Sequence, residues 1–523
     1  MVEVQQYAVC DFGLYADVGD KNPFAVEVTA TFTHELGEVV ENLPGFFDGD
    51  KWVVRFSPGA EGVWRGRSRS ELSGLDGAEW GVQCVGNENA DVHGLVGIDP
   101  EHPQRFAWSD GTPFLYLGFE CDWLFSYHQA DAERCYRHVD LVASRGFNCF
   151  VVNLYAHTGF GSRPNDDTRP MLPEYIFGPP EMYLFEGTND APDHERMNID
   201  FFRDFDRLMR YLHGKGIVVH LMLQVQNKQV NWPARETEAD DRFWRYAVAR
   251  YQAFGNVIWD VGKESKNLYR EMGDHDYVLE RMAIIRGADA YGHLLTVHDV
   301  ELRNAGTLSE PDRQSDFVTD QVHLSDATRY NREAIRRMRN SGTPYVNVEY
   351  GYELAEEQLK TYRGRTTAEW DDILRWTWAI YAAGAYPCYY YDNTSWDLIK
   401  FEPVPESWRR YRELRDFLEG LPFNQMVGDN EYVERGFCLA LAGDAYLVYL
   451  PEGGDTRIDL SDVGEGTPIA VDWMAVLTGE RSSGEMEKSD FWGGFNTDLV
   501  NPFGDKDQPC VVGLWVGGKG AIR

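Results

Sequence analysis

Positive charge is what this chain has least of. Lys and Arg number 50 against 85 Asp and Glu, a net charge of −35 over 523 residues, with a sequence pI near 4.7. Phosphate backbones would be repelled over most of such a surface, which argues against nucleic acid as a partner. Anionic membranes and highly charged acidic polysaccharides are disfavoured in the same way, unless a local basic pocket intervenes. Long apolar runs are missing too, and no stretch approaches the roughly 18 residues of a membrane span. The opening MVEVQQYAVCDFG lacks a basic region followed by an apolar core. No signal peptide is expected from it, so a cytoplasmic location fits best, with a periplasmic or secreted one if a signal has been removed. The eight cysteines form no CxxC pair and no Cys/His cluster at zinc spacing, and Cys149 and Cys388 sit inside apolar runs. Buried free thiols are therefore expected, with no metal and no cofactor. Internal repeats and low-complexity tracts are absent, and self-association into a homo-oligomer is left open.

Apolar residues make up 43% of the chain and aromatics 14%, enough for several cores. So many rings serve either β-rich packing or platforms for the C–H faces of sugars. Residues 1–100 read as short alternating strands, such as Phe24 to Phe32 and Trp52 to Phe56, between turns at Pro44-Gly45, Asp48-Gly49 and Ser57-Pro58-Gly59. That spacing predicts an N-terminal β-sandwich. Over residues 101–422 apolar strand-like runs alternate with amphipathic helical stretches. Eight strands are expected at 114–118, 149–153, 218–223, 257–261, 294–297, 317–322, 345–348 and 387–391, with helices such as 132–145 and 202–213 between them. Eight βα units predict an α/β fold, a (β/α)8 TIM barrel. A doubly wound sheet is the rival, but no Gly-rich phosphate loop follows the first strand. A β pattern returns over residues 423–523, with strands at 437–441, 445–450 and 469–473, and predicts a C-terminal β-sandwich. The stretch 156–200 reads as a long pocket-shaping loop.

Residues just past barrel strands share one face. Collected in that way, the chain offers Glu120, Asp122 and Trp123 after strand one, and Asn153, Tyr155 and His157 after strand two. Gln224, Gln226 and Asn227 follow strand three, Glu264 strand four, and His298 and Asp299 strand five. Asp320, Gln321 and His323 follow strand six, Glu349 strand seven, and Tyr390, Tyr391, Asp392 and Trp396 strand eight. Carboxylates, amides, imidazoles and rings suit sugar hydroxyls, and no basic cluster for phosphate is among them. Glycoside hydrolysis needs two carboxyl groups about one bond, one giving a proton and the other attacking or activating water. Glu264 ends NVIWDVGKES and Glu349 lies in PYVNVEYGYE, each at the end of a buried strand, and strands four and seven face each other across a barrel. Glu264 and Glu349 are the expected catalytic pair, with Glu353 as a substitute if the register slips. Asp122, Trp123, Asn153, His157, Gln226, His298, His323, Tyr391 and Trp396 are the expected substrate contacts. Trp376 and Trp378 read as core. A His/Asp metal site at 298–299 or 320–323 has no helical HxxxH or HxxE spacing behind it.

These segments carry a resemblance. Residues 44–66 resemble the small β-domain of unknown function that precedes many bacterial glycosidase barrels. AYLVYLPEGG and VDWMAVLTGE resemble the β-domain behind apiosidase-like barrels, and YPCYYYDNTSWDLIK resembles the segment closing one side of their sugar pocket. WDVGKES and YVNVEYGYE resemble the strand-four and strand-seven motifs of clan A retaining glycoside hydrolases. As a whole the chain is similar to the apiosidase-like, clan A-related glycosidases. The resemblance implies Glu264 as acid/base and Glu349 as nucleophile of a retaining β-glycosidase on plant or algal oligosaccharides, and the pocket-like loops with no separate carbohydrate-binding tail favour exo action. Clan A enzymes commonly carry Asn before the acid/base where this chain has Lys263, and a neighbouring ammonium works against a proton donor unless burial offsets it. Lys263 therefore keeps a second reading alive, a non-catalytic carbohydrate-binding protein on a barrel that has lost its chemistry. A metal-dependent barrel hydrolase or isomerase is a weaker third.

Overall fold

Eight parallel strands carry the middle of the chain. The computed structural model describes residues 1–159, 172–269, 271, 274–299, 308–355, 367–488 and 495–518. Strands one to four are Gly118–Glu120, Cys149–Asn153, Val218–Met222 and Val257–Asp260. Strand five is Leu295–Thr296 continued as His298–Asp299, followed by Val318–Asp320, Tyr345–Asn347 and Tyr386–Tyr391 as strands six to eight. Each pairs in parallel with its sequence neighbours, and strand eight pairs with both strand one and strand seven. Strand five completes the ring: Leu295–Thr296 pairs with strand four and His298–Asp299 with strand six. A closed parallel ring wrapped by helices is a (β/α)8 barrel, and it brings every strand's C-terminal end to one face.

Strand one starts later than its apolar run suggests. The backbone of residues 114–117 pairs with no barrel strand, because Leu117 N donates to Asn148 Oδ1 (2.9 Å), Asn148 Nδ2 donates to the Leu115 carbonyl (2.8 Å), and Phe114 N donates to the carbonyl of Phe106 in the short strand Phe106–Trp108. Helices Ala132–Ser144 and Ile199–Gly214 follow the expected pattern, capped by Asp131 and Asn198 side chains that accept from the first-turn amides. The second buries Phe201, Phe202, Phe205, Leu208, Met209 and Leu212 on its barrel face. The stretch 156–200 is not all loop: Phe185–Thr188 and Ala191–Met197 form an antiparallel hairpin, and residues 160–171 lie outside those described.

Separate β-sheets flank the barrel. In the first, a five-stranded and a three-stranded sheet share one core, with Phe32 stacked on Phe56 at 3.9 Å. The Phe24 to Phe32 run is not one strand. Asn22 Oδ1 accepts from Phe24 N and Pro23 opens a 3-10 turn, so the strand begins only at Thr29. At the other end a six-stranded sheet alternates its faces, with Phe437, Leu439, Leu447 and Tyr449 in the barrel's core and Cys438, Ala440, Tyr446 and Val448 in a core of their own. All eight cysteines are free, seven of them buried. No helix among the described residues is long and apolar enough to cross a membrane.

Candidate active site

Strand four sets up the site by alternation. Trp259 points outward, its Nε1 donating to Asp289 Oδ2 (3.1 Å), while Asp260 points inward to His220 Nε2 at 2.9 Å. Asp260 Oδ1 also accepts from the backbone N–H of Gly262 (3.0 Å) and of His298 (3.1 Å), tying the ends of strands four and five together. A Cβ on Gly262 would lie 2.0 Å from the Gln224 carbonyl oxygen, so only glycine lets the strand-three and strand-four ends approach this closely. Beyond it, Lys263 turns inward. Glu264 takes the left-handed conformation at φ 53°, a strained state for a non-glycine residue of the kind that gathers at functional sites.

Lys263 is not spent on its neighbour Glu264. Its Nζ donates to Glu120 Oε1 (3.1 Å), to Asp122 Oδ2 (3.0 Å) and Oδ1 (3.2 Å), and to Tyr390 OH (3.4 Å), and stands 3.8 Å from Glu349 Oε2. Burial alone would strip the proton from this ammonium, but Asp122, Glu120 and Glu349 hold it charged. Burial and the Asp122 carboxylate push Glu120 well above the usual carboxylate range. Asp122, despite its own burial, is lowered by Lys263 and by its hydrogen bond with Glu120. Glu120 is therefore the more basic member of the pair. Burial would raise Glu349 as well, yet His323, 3.5 Å from Oε1, together with Lys263, brings it down to about 2. Gln321 Nε2 donates to the same Oε1 at 2.6 Å. Glu349 is therefore a buried carboxylate with its charge supported on both sides.

Glu264 is built differently. It is half-buried, and Asn227 Nδ2 (3.0 Å) and Asn267 Nδ2 (3.1 Å) both donate to Oε2. Any proton it carries therefore sits on Oε1. Glu353 does not join the cluster, since its carboxyl accepts from Ser407 Oγ (2.5 Å). His298 is fully buried beneath the same groups, and its field includes both Glu349 and Glu264.

The expected contacts sort by strand register. Asp122 joins the Lys263 cluster, and Trp123 and Trp396 flank Lys228, whose Nζ lies 5.4 Å and 5.8 Å from their ring centres. Asn153 ends strand two, with both amide atoms buried and unpartnered. His157 lies tilted against Tyr183 with ring centres 5.9 Å apart and donates its backbone N–H to the Lys228 carbonyl. Gln226 opens the 3-10 turn Gln226–Lys228 that brings in Asn227 and Lys228. Tyr391 goes the other way. Its ring packs on Trp408 at 5.9 Å, on the helix side, and it is Tyr390 that reaches Lys263. Asp299 lies in strand five, but its side chain is outside those described. Trp378 is core, and Trp376 packs on Tyr330 at 5.3 Å. Lys228 carries no sequence signal at all, being one lysine in a polar turn. Around the carboxylates, Trp123 Nε1, both Asn153 amide atoms, both His298 nitrogens and Gln321 Oε1 are buried without a partner among the described residues. Orphaned buried polar atoms are costly, so a cluster of them at one strand-end face fits a ligand rich in hydroxyls. Among the described residues no group of three or more His, Cys, Asp or Glu side chains could hold a metal ion.

A barrel with carboxylates of contrasting environment at its strand ends is the frame of a glycoside hydrolase, and comparison with known proteins gives the same class. The apiosidase-like catalytic domain matches residues 101–416, and the chain belongs to that family of glycoside hydrolases. A domain of unknown function (DUF5060) matches residues 3–71. No curated protein sequence matches the chain. Among solved structures, a glycoside-hydrolase candidate from Bacteroides vulgatus is similar over 99% of this chain and 100% of its own, at 19% identity and a TM-score of 0.80. A family 5 glycoside hydrolase from the same organism is similar over 82% of this chain and 97% of its own, at 16% identity and a TM-score of 0.60. At such identities the likeness is one of fold.

Proposed function

We propose that the chain hydrolyses β-glycosides with retention of anomeric configuration, trimming plant or algal oligosaccharides from one end. What supports this is the contrast between the two glutamates: Glu349 is held as a carboxylate at about 2, while Glu264 has one oxygen tied to two amides and the other free. In the first step Glu349 Oε2 attacks the anomeric carbon. The glycosidic C–O bond breaks, and its electron pair goes to the leaving oxygen, which takes the proton from Glu264 Oε1. In the second step Glu264, now a carboxylate, takes a proton from water as the water oxygen attacks the same carbon, and the ester to Glu349 breaks. Two inversions give net retention. The long segment after strand two and the half-buried Trp396 favour a closed pocket and exo action. Lys263 counts for this reading and against a non-catalytic binding protein, because it supports the nucleophile's charge.

Release of chromophore from a panel of aryl β-glycosides tests the proposal. Glu264→Gln and Glu349→Gln are each expected to lower kcat/KM by about 10³-fold or more while substrate binding persists. Unaltered turnover in both variants would show that other carboxylates do the work.

A further inference from the structure

Lys228 lacks what a buried lysine ordinarily has. The residue is 3% exposed, yet its Nζ makes no hydrogen bond or ion pair with any described residue and rests between the Trp123 and Trp396 rings. Lys263, in the same cavity and equally buried, is met by two carboxyl groups at 3.0–3.1 Å. The charged groups facing Lys228 are Asp122, Glu264 and Asp397, with Lys263 opposing them, and they do not offset its loss of water: burial draws the ammonium down to about 8. A desolvated cation is costly unless it is paired. Aromatic faces return only part of that.

We propose that Lys228 receives a carboxylate of the substrate, so that the sugar bound beside Trp396 is a uronic acid. Lysine offers donors alone. A sugar hydroxyl accepts one of them but brings a proton of its own to be housed, whereas a carboxylate only accepts and carries the compensating charge. Trp396, half-buried beside Lys228, supplies a flat apolar wall for a pyranose ring. In a protein of net charge −35, a lysine kept free of its many acids is a local exception that an anionic sugar would use. This assignment rests on the reading of the pocket as a glycosidase site.

The test is calorimetric binding to the Glu349→Gln protein of phenyl β-glycosides of glucuronic, galacturonic and mannuronic acid, each beside its uncharged amide. At near-neutral pH one acid is expected to bind about tenfold or more tightly than its amide. That preference should fade as pH rises through about 8, where Lys228 loses its proton. Adding Lys228→Met or Lys228→Gln should abolish the preference while neutral phenyl glycosides still bind and the circular dichroism spectrum is unchanged. Equal binding of acid and amide, or a preference that survives both lysine variants, overturns the assignment. So does preferential binding of phenyl glucoside 6-sulfate over every uronide. If neutral glycosides are bound and hydrolysed without preference, only the uronate assignment falls; if no glycoside of either kind is bound, the glycosidase reading falls with it.

Discussion

At the scale of single residues, Lys263 decides how the acids divide their roles. Its ammonium meets Glu120 and Asp122 and stands 3.8 Å from Glu349, so a residue that reads from the sequence as an obstacle to a proton donor at Glu264 instead supports the charge of Glu349. With Glu349 at about 2, its ionisation sets the acid limb of a kcat/KM profile at low pH. Lys263→Met removes a charge that lowers Glu349, so the carboxyl rises and the acid limb should move to higher pH, with the largest loss on the acid side. A pH profile of kcat/KM measures this, and an unmoved acid limb would show that Lys263 does not act on Glu349. Glu264 and Glu349 stand out in the sequence as candidates because each carboxyl follows an apolar run. Tyr390 was not separable from Tyr391, since every residue of YPCYYY is buried and a strand buried on both faces gives no alternation of polarity to mark its inward side.

At the scale of elements, the strand ends are fastened by buried acids. Strands two, three, four and eight were legible as unbroken apolar runs, with ends within a residue or two of those observed. Strand one was displaced because Asn148, a side chain from the next unit, takes over the hydrogen bonding of residues 115–117, and no local pattern announces a contact made at that distance. Glu353 ends the short strand Tyr352–Glu353 that follows strand seven and pairs with strand eight. Burial raises its carboxyl to about 7, and the hydrogen bonds from Ser407 and Tyr389 do not offset it. In the unfolded chain the same group titrates near 4.3, about the usual value for Glu. The fold thus binds a proton that the unfolded chain has released, and stability declines as pH rises from that value through about 7. Glu353→Gln keeps an acceptor for Ser407 and has no charge to bury. Its Tm should exceed that of the unaltered protein above pH 7 and converge with it in acid; a constant difference across the range would refute the buried, protonated carboxyl.

At the scale of the whole molecule, the barrel is braced from both sides. Arg55, on the Trp52–Phe56 strand of the N-terminal sheets, and Arg250, on the barrel helix Glu238–Tyr251, both fork onto Asp206 at 2.8–3.1 Å. Burial would raise Asp206, but the two guanidinium groups bring it down to about 2. Its stabilisation is therefore complete above the unfolded value of about 3.9 and is lost as pH falls toward 2. Asp206→Asn should cost ~3–5 kcal/mol by leaving two buried cations underpaired. Chemical denaturation at neutral pH reads the loss, and the gap to the unaltered protein should close in strong acid. The three-part β–barrel–β order was legible from texture alone, whereas this brace was not, because its members lie 151 and 44 residues apart. The proposed reaction requires two acids, from strands four and seven, to meet at one sugar. The most direct measurement is mass spectrometry of a peptic digest after inactivation with a 2-deoxy-2-fluoro glycoside of a substrate that the protein turns over. A stable glycosyl ester on the peptide containing Glu349 is the predicted result; a label on Glu120, Asp122 or Glu353 would contradict it.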